Sequence, residues 1–166
     1  TGVEMDSVSA KIAKALYPQS EIHHSPFEKC ELPREHFDLA VSNVPFGNYP
    51  VHDPRFNDQK FSVHDYFFAA SLDHVRPGGL VAFITSHYSL DKANTSAREF
   101  LAERAEFHGA IRLPNNAFEG IAQTQVTTDI IFLQKLEEGQ VAKSRSWEDL
   151  AMTFDADHRE LMINEY

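Results

Sequence analysis

The 166-residue sequence contains a single cysteine, Cys30. One thiol excludes an internal disulfide framework and fits a reducing, cytoplasmic setting. Cations are scarce as well: 15 Lys and Arg stand against 25 Asp and Glu, for a net charge of −10. A chain of that charge does not grip a polyanion by itself, because phosphate binding rests on neutralising cations. No apolar run approaches the roughly 20 residues of a membrane-spanning helix, and the N-terminus carries no signal-peptide pattern. The nine histidines are dispersed apart from His23-His24, and with one thiol they make no metal-ligand spacing. Glycine is also sparse, at seven residues, and no Gly-x-Gly occurs. The phosphate-cradling turn that usually opens a nucleotide-binding fold is therefore missing. Neither a metal nor a membrane partner is expected.

A core, by contrast, is well provided for. The apolar fraction is 42%, with thirteen Phe, enough for one globular domain at this length. Thr1 to Asp6 reads as the end of a strand closing in carboxylates. Asp6 or Ser7 caps a helix through about Tyr17, with Val8, Ile12, Ala15 and Leu16 on one face and Pro18 as its stop. Ser20 to His24 is a weak strand. Ser62 caps a helix through Val75 that is apolar on most sides, and Pro77-Gly78-Gly79 ends it before a buried strand, Leu80 to Thr85. Thr95 or Ser96 caps another helix through about Glu106, with Phe100, Leu101 and Ala105 inward. Two further strands follow, Phe107–Leu113 and Thr127–Gln134. Beyond Lys135 the chain turns polar, with hints of short amphipathic helices around Trp147–Leu150 and Glu160–Ile163.

The stretch that organises the rest is Phe37 to Gly47. Phe37–Val41 reads as a buried strand, broken abruptly by Asn43-Val44-Pro45-Phe46-Gly47, where Pro45 cannot continue a strand and Gly47 opens a turn. An amide, a backbone carbonyl and an aromatic ring are thus presented together at a strand's carboxyl end, where open α/β sheets bind ligands. The loop from Gly47 to Phe61 interleaves Arg55 and Lys60 with Tyr49, Phe56 and Phe61. Its length beside such a turn suits a segment that closes over a substrate.

Asn43-Val44-Pro45-Phe46 resembles the Asn-Pro-Pro-Tyr/Phe motif of S-adenosylmethionine-dependent N6-adenine DNA methyltransferases. The likeness extends to Val51-His52-Asp53-Pro54-Arg55-Phe56, His64-Asp65-Tyr66-Phe67-Phe68 and Ala110-Ile111-Arg112-Leu113-Pro114-Asn115, which are similar to the methylase domains of large helicase-methylase proteins on mobile elements. The resemblance implies a Rossmann-like α/β sheet with an antiparallel pair, Phe107–Leu113 and Thr127–Gln134, at its end. It implies that the Asn43 side chain and the Val44 carbonyl accept the hydrogens of an exocyclic amine, drawing the nitrogen toward tetrahedral geometry. Pro45 shapes that turn, and Phe46 stacks on an adenine rotated out of the duplex, with Phe118 on its other face. For the cofactor it implies Glu4 on the ribose hydroxyls, with Met5, Phe27 and Phe67 around the adenine.

One part of the family pattern is absent: the first, central strand and its Gly-rich turn, upstream of the acidic strand. Without it the strand ending at Glu4 and the strand leading to Asn43 lack a shared neighbour. The expected partners are accordingly a missing N-terminal segment or partner chain, and DNA held through a separate basic segment or subunit. The catalytic domain is expected over 1–136, incomplete at its N-terminus, with 137–166 a polar extension carrying short helices. In isolation the chain is expected to leave its cofactor site empty and to be inactive. Two alternatives stay open: a protein glutamine N5 methyltransferase, whose amide is served by the same tetrapeptide, and a non-catalytic remnant acting as an interaction module.

Overall fold

The computed structural model describes residues 1–47, 49–122, 126–143 and 146–166. It is a mixed α/β structure with three groups of strands. β1 (Gly2–Glu4) leads into α1 (Ser7–Leu16) and β2 (Ile22–His24), and β1 pairs with β2 in parallel. β3 (Phe37–Asn43), α2 (Val63–His74) and β4 (Val75–Ser86) follow; α3 (Tyr88–Asp91) and α4 (Ser96–Ala102) precede β5 (Ala105–Leu113). After α5 (Glu119–Ala122) comes β6 (Thr128–Lys135), and a hairpin of β7 (Leu150–Phe154) and β8 (Glu160–Asn164) ends the chain. The principal sheet has the order β3-β4-β6-β5. β3 runs parallel to β4, while β6 lies antiparallel to both β4 and β5. The antiparallel pair expected at 107–113 and 127–134 is β5 with β6, in register from Leu113↔Thr128 to Ala105↔Lys135 with a shift between Phe107 and Gly109.

The core lies between α2 and one face of this sheet. The N-terminus of α2 is fixed by a reciprocal pair of bonds: the Ser62 hydroxyl accepts from the Asp65 N–H, and the Asp65 carboxylate accepts from the Ser62 N–H. This satisfies two donors that a helix start otherwise leaves open. Because α2 is apolar nearly all round, Tyr66, Phe68, Ala69, Ala70 and Leu72 are all buried, against Val81 and Phe83 of β4 and Ile131 and Leu133 of β6. Each large side chain so removed from water contributes roughly 1.5–3 kcal/mol.

Several boundaries differ from the sequence expectation, for local reasons. Val75 is already strand, so Pro77-Gly78-Gly79 lies inside β4, in the irregularity that shifts its register against β3 between Phe37 and Leu39. Gly78 has φ +73, and a Cβ on Gly79 would sit 2.8 Å from the Arg76 carbonyl and 3.1 Å from that of Phe37. The close approach of two backbones, not a helix stop, explains these glycines. Ala105 is buried as expected, but in β5, since α4 ends at Ala102. Among the described residues the C-terminal segment forms no α-helix. Trp147 sits in a short 3-10 turn and Glu160–Ile163 belongs to β8. Pairing across the hairpin outweighs the weak amphipathic pattern there. Trp147 is buried, stacked on Phe107 with centroids 4.9 Å apart, and its turn is held by Arg98 donating to the Glu148 carbonyl and Asn164 donating to the Trp147 carbonyl.

The N-terminal unit packs differently. On α1 only Ala10 is buried, while Val8, Ile12 and Leu16, the face expected to pack, are exposed.

Candidate active site

The end of β3 meets the turn that the sequence singles out. Asn43 is the last residue of the β3–β4 ladder, opposite Ile84. The Val44 N–H then donates to the Ile84 carbonyl at 3.0 Å, and its side chain is 1% exposed. A proline here has no N–H to give, so valine adds an anchor to β4 and buries an apolar group as well. The turn is thereby fixed at its root. Asn43, Pro45 and Phe46 are exposed, and the Asn43 side chain has no hydrogen-bond partner among the described residues. An acceptor and a ring 42% open to solvent thus stand side by side on a rigid base.

Phe46 rests edge-on against His64, centroids 5.7 Å apart. His64 lies in the first turn of α2 and is buried, with Nε2 unpartnered among the described residues. Burial pushes its imidazole below the ordinary value of 6.5; Lys92 works in the same direction against the opposing carboxylate of Asp65. The ring is therefore a neutral wall for Phe46. Sequence reasoning quoted His64 within a motif but gave it no role. Its spacing from Phe46 carries no signal, because the intervening loop sets their proximity.

That loop, apart from Asn48, which lies outside the described residues, is tied to α2 through Asp53, Arg55 and Phe56. Asp53 is buried and accepts from the Arg55 guanidinium at 2.7 Å and from the Tyr66 hydroxyl at 2.9 Å. Burial alone raises the Asp53 carboxyl, but the bonds from Arg55 and Tyr66 outweigh it and hold the group below its ordinary range. Burial, with the bond to Asp53, pushes the Tyr66 phenol far up. Arg55 also pairs with Asp73, and Phe56 is buried among Phe61, Tyr66 and Phe100. Arg112, in another of the quoted motifs, pairs with Asp91 and Asp129, tying α3 to the β5–β6 pair.

Of the four residues given a cofactor role, Phe27 and Phe67 come together, stacked at 5.3 Å with 20° between planes. Both line a cavity of about 210 Å³. Glu4 and Met5 lie at the carboxyl end of β1 and do not line it. One Glu4 carboxylate oxygen accepts the Asp6 N–H at 2.7 Å, and the Met5 side chain points to solvent. Phe118 is half-buried in the turn before α5 and makes no ring contact with Phe46 among the described residues. β5 and β3 point the same way, so the turn bearing Phe46 and the connection bearing Phe118 leave the same end of the sheet.

The N-6 DNA Methylase family matches residues 2–159. The chain belongs to that family. It is 32% identical over 142 residues, 81% of its length, to the "Defense against restriction protein B" of Escherichia phage P1, and spans 6% of that protein. A class I S-adenosylmethionine-dependent methyltransferase of Listeria monocytogenes has a similar fold, with a TM-score of 0.65 at 20% identity, over 86% of this chain and 46% of that one. The M protein of the type I restriction enzyme EcoKI is similar at a TM-score of 0.65 and 19% identity, over 81% of this chain and 30% of that one. A modification subunit of a type I restriction enzyme from Vibrio vulnificus covers 99% of this chain, with a TM-score of 0.64 at 13% identity. The sheet is thus that of a class I methyltransferase, and the chain spans less than half the length of each of these relatives. Among the described residues no helix is long and apolar enough to cross a membrane, and no cluster of metal-ligating side chains occurs.

Proposed function

We propose that this chain carries the catalytic turn of a methyltransferase acting on the exocyclic N6 of an adenine flipped out of DNA. The observation that supports it most is the exposed, unpartnered Asn43 amide beside Phe46, on a turn anchored by the Val44–Ile84 bond. An exocyclic amine is a poor nucleophile because its lone pair is delocalised into the ring. The Asn43 Oδ1 and the Val44 carbonyl accept its two hydrogens and localise that pair. Phe46 stacks on the flipped base, held at its edge by His64, and Pro45 limits the turn's freedom.

The residues present fit part of an S-adenosylmethionine molecule. Glu4 has one carboxylate oxygen left for a ribose hydroxyl, Met5 is free to lie against the adenine, and Phe27 and Phe67 offer apolar contact. Bound there, the cofactor supplies an electrophilic methyl group on sulfur. This sequence has no Gly-x-Gly turn to receive its amino-acid end, so the fit is incomplete. Charge-assisted bonds of about 1.5–3 kcal/mol each are missing, which lowers affinity by orders of magnitude. The isolated chain is therefore expected to be inactive. With a net charge of −10, DNA is held through a separate basic segment or subunit, in the cytoplasm. Residues 1–136 form the catalytic domain, and 137–166 an extension stitched to it through Trp147.

The test is Asn43→Ala in the complete enzyme, assayed on adenine-containing DNA and on a glutamine-containing protein. Losing an acceptor that acts mainly in the transition state costs roughly 3 kcal/mol, about a hundredfold in rate, with cofactor affinity unchanged. A variant that keeps its rate removes Asn43 from the mechanism. Methylation of the protein alone transfers the same turn to glutamine chemistry.

A further inference from the structure

The loop after the Asn43 turn holds a cavity that the proposed reaction leaves unassigned. About 510 Å³ in volume, it is lined by Pro50, Phe56, Asn57, Lys60 and Phe61 of the loop and by Tyr66 of α2. Its aromatic wall is braced. Phe61 is half-buried, 5.0 Å from Phe100 and 6.1 Å from Phe56, and Phe56 meets Tyr66 at 5.8 Å. None of its described lining residues is Asp or Glu, in a chain of net charge −10. The loop's two cations have different fates. Arg55 is spent on Asp53 and Asp73, whereas Lys60 is exposed and makes no ion pair among the described residues. Asn57 accepts the Asp53 N–H through Oδ1 at 3.1 Å and keeps an amide NH2 without a partner among the described residues.

We propose that this cavity is a subsite for one nucleotide near the flipped adenine, on the same DNA strand, with its base against Phe61 and its phosphate on Lys60. The proposal rests on the reading of the Asn43 turn as acting on DNA. Three observations select this ligand. A half-open ring braced by its neighbours offers a stacking face, and every base has a π-face to lay on it. An unpaired cation with no carboxylate in the cavity lining complements a phosphate, and the Asn57 NH2 donates to a base edge or a phosphate oxygen. The third is reach. Pro50 is four residues from Phe46, so their backbones lie within about 14 Å of each other. A duplex strand rises about 3.4 Å per nucleotide, which puts the cavity within about four steps of the target base. Such a contact holds the strand while the target base leaves the stack, and it gives the reaction a preference for its sequence context.

The experiment uses the complete enzyme and two readouts. In the first, acetylation of Lys60 by an amine-reactive ester is followed by mass spectrometry, with Lys11 of α1 as the reference. A single-stranded thymidine pentanucleotide is expected to slow Lys60 about tenfold, and inorganic phosphate at the same concentration to leave it unchanged. The second readout is DNA methylation. Phe61→Leu is expected to raise the KM for DNA about tenfold with kcat unchanged. Lys60 has φ +52, a conformation glycine adopts readily, so Lys60→Gly removes the charge without straining the backbone. It is expected to lower the salt slope of DNA binding by about one. An abasic nucleotide placed in turn at each of the four steps on either side of the target should raise the wild-type KM at one position. Phe61→Leu should be indifferent to the abasic nucleotide at that position. Unaltered Lys60 reactivity, equal protection by phosphate alone, or an abasic penalty that Phe61→Leu keeps at every position overturns the subsite. Lys60 protection needs no turnover, so the two readings fail separately. Protection in an Asn43→Ala variant of full activity keeps the subsite and removes the turn; an inactive Asn43→Ala without protection removes only the subsite.

Discussion

α1 and α2 invite comparison. Both begin with a side-chain cap, Asp6 on the N–H groups of Val8 and Ser9 in α1 and Ser62 with Asp65 in α2. Both carry apolar residues at helical spacing. Yet α2 is buried along nearly its whole length, while α1 buries only Ala10. Helix formation is a local matter, decided by caps and propensity. Burial requires a second surface, which α2 finds in β4 and β6 and which α1 lacks among the described residues. The molecule therefore has a stable half, from β3 onward, and a half that holds its shape mainly by local bonds.

The sharpest contrast comes from Trp147→Ala. Trp147 closes the stable half by stacking on Phe107, and its removal should destabilise the chain by about 3–5 kcal/mol, read as a shifted denaturant midpoint. A loss below about 1 kcal/mol would mean that the C-terminal turn is a surface appendage.

Asp53→Asn comes next. It weakens the charge pairing with Arg55 and the bond from Tyr66, at a cost of about 1–3 kcal/mol. Limited proteolysis should then cut within residues 49–61 before it cuts elsewhere in the stable half. Cleavage spread evenly would show that the loop does not depend on Asp53.

Acidification gives a smaller, signed effect. Burial depresses the His64 imidazole below 6.5, so the unfolded chain binds that proton more readily. The stability this provides is fully present above pH 6.5 and is lost as pH falls from there through the lower value of the folded chain. Urea melts at pH 7.5 and pH 5.5 should therefore differ more for the native chain than for His64→Gln. Equal differences would show that His64 is not the titrating group.

Ile12→Ala should do least. An exposed apolar side chain contributes under about 0.5 kcal/mol, so the midpoint should stay nearly unchanged. A loss comparable to that of Trp147→Ala would show that α1 is covered in solution.

The turn at Asn43 was legible because its signal is local and contiguous: a short apolar run, then an amide, a proline, an aromatic and a glycine. The helix starts were legible for the same reason, since Asp6 and Ser62 act within one turn. The Pro77-Gly78-Gly79 stretch was misread as a helix stop because the same residues serve where a strand must let another backbone approach. The C-terminal hairpin was hidden because Trp147 and Asn164 are bound by partners far away in sequence.

By itself, then, the sequence determined the family, the strand that ends at Asn43, the caps of α1 and α2 and the antiparallel β5–β6 pair. These rest on periodicity, turn chemistry and residues adjacent in the chain. Only the tertiary structure decided that Val44 is tied to Ile84, that His64 backs Phe46, and that β1 and β3 face each other across an open hollow. Those facts depend on strand order and on which surfaces find partners, and neither is written in any local stretch of residues.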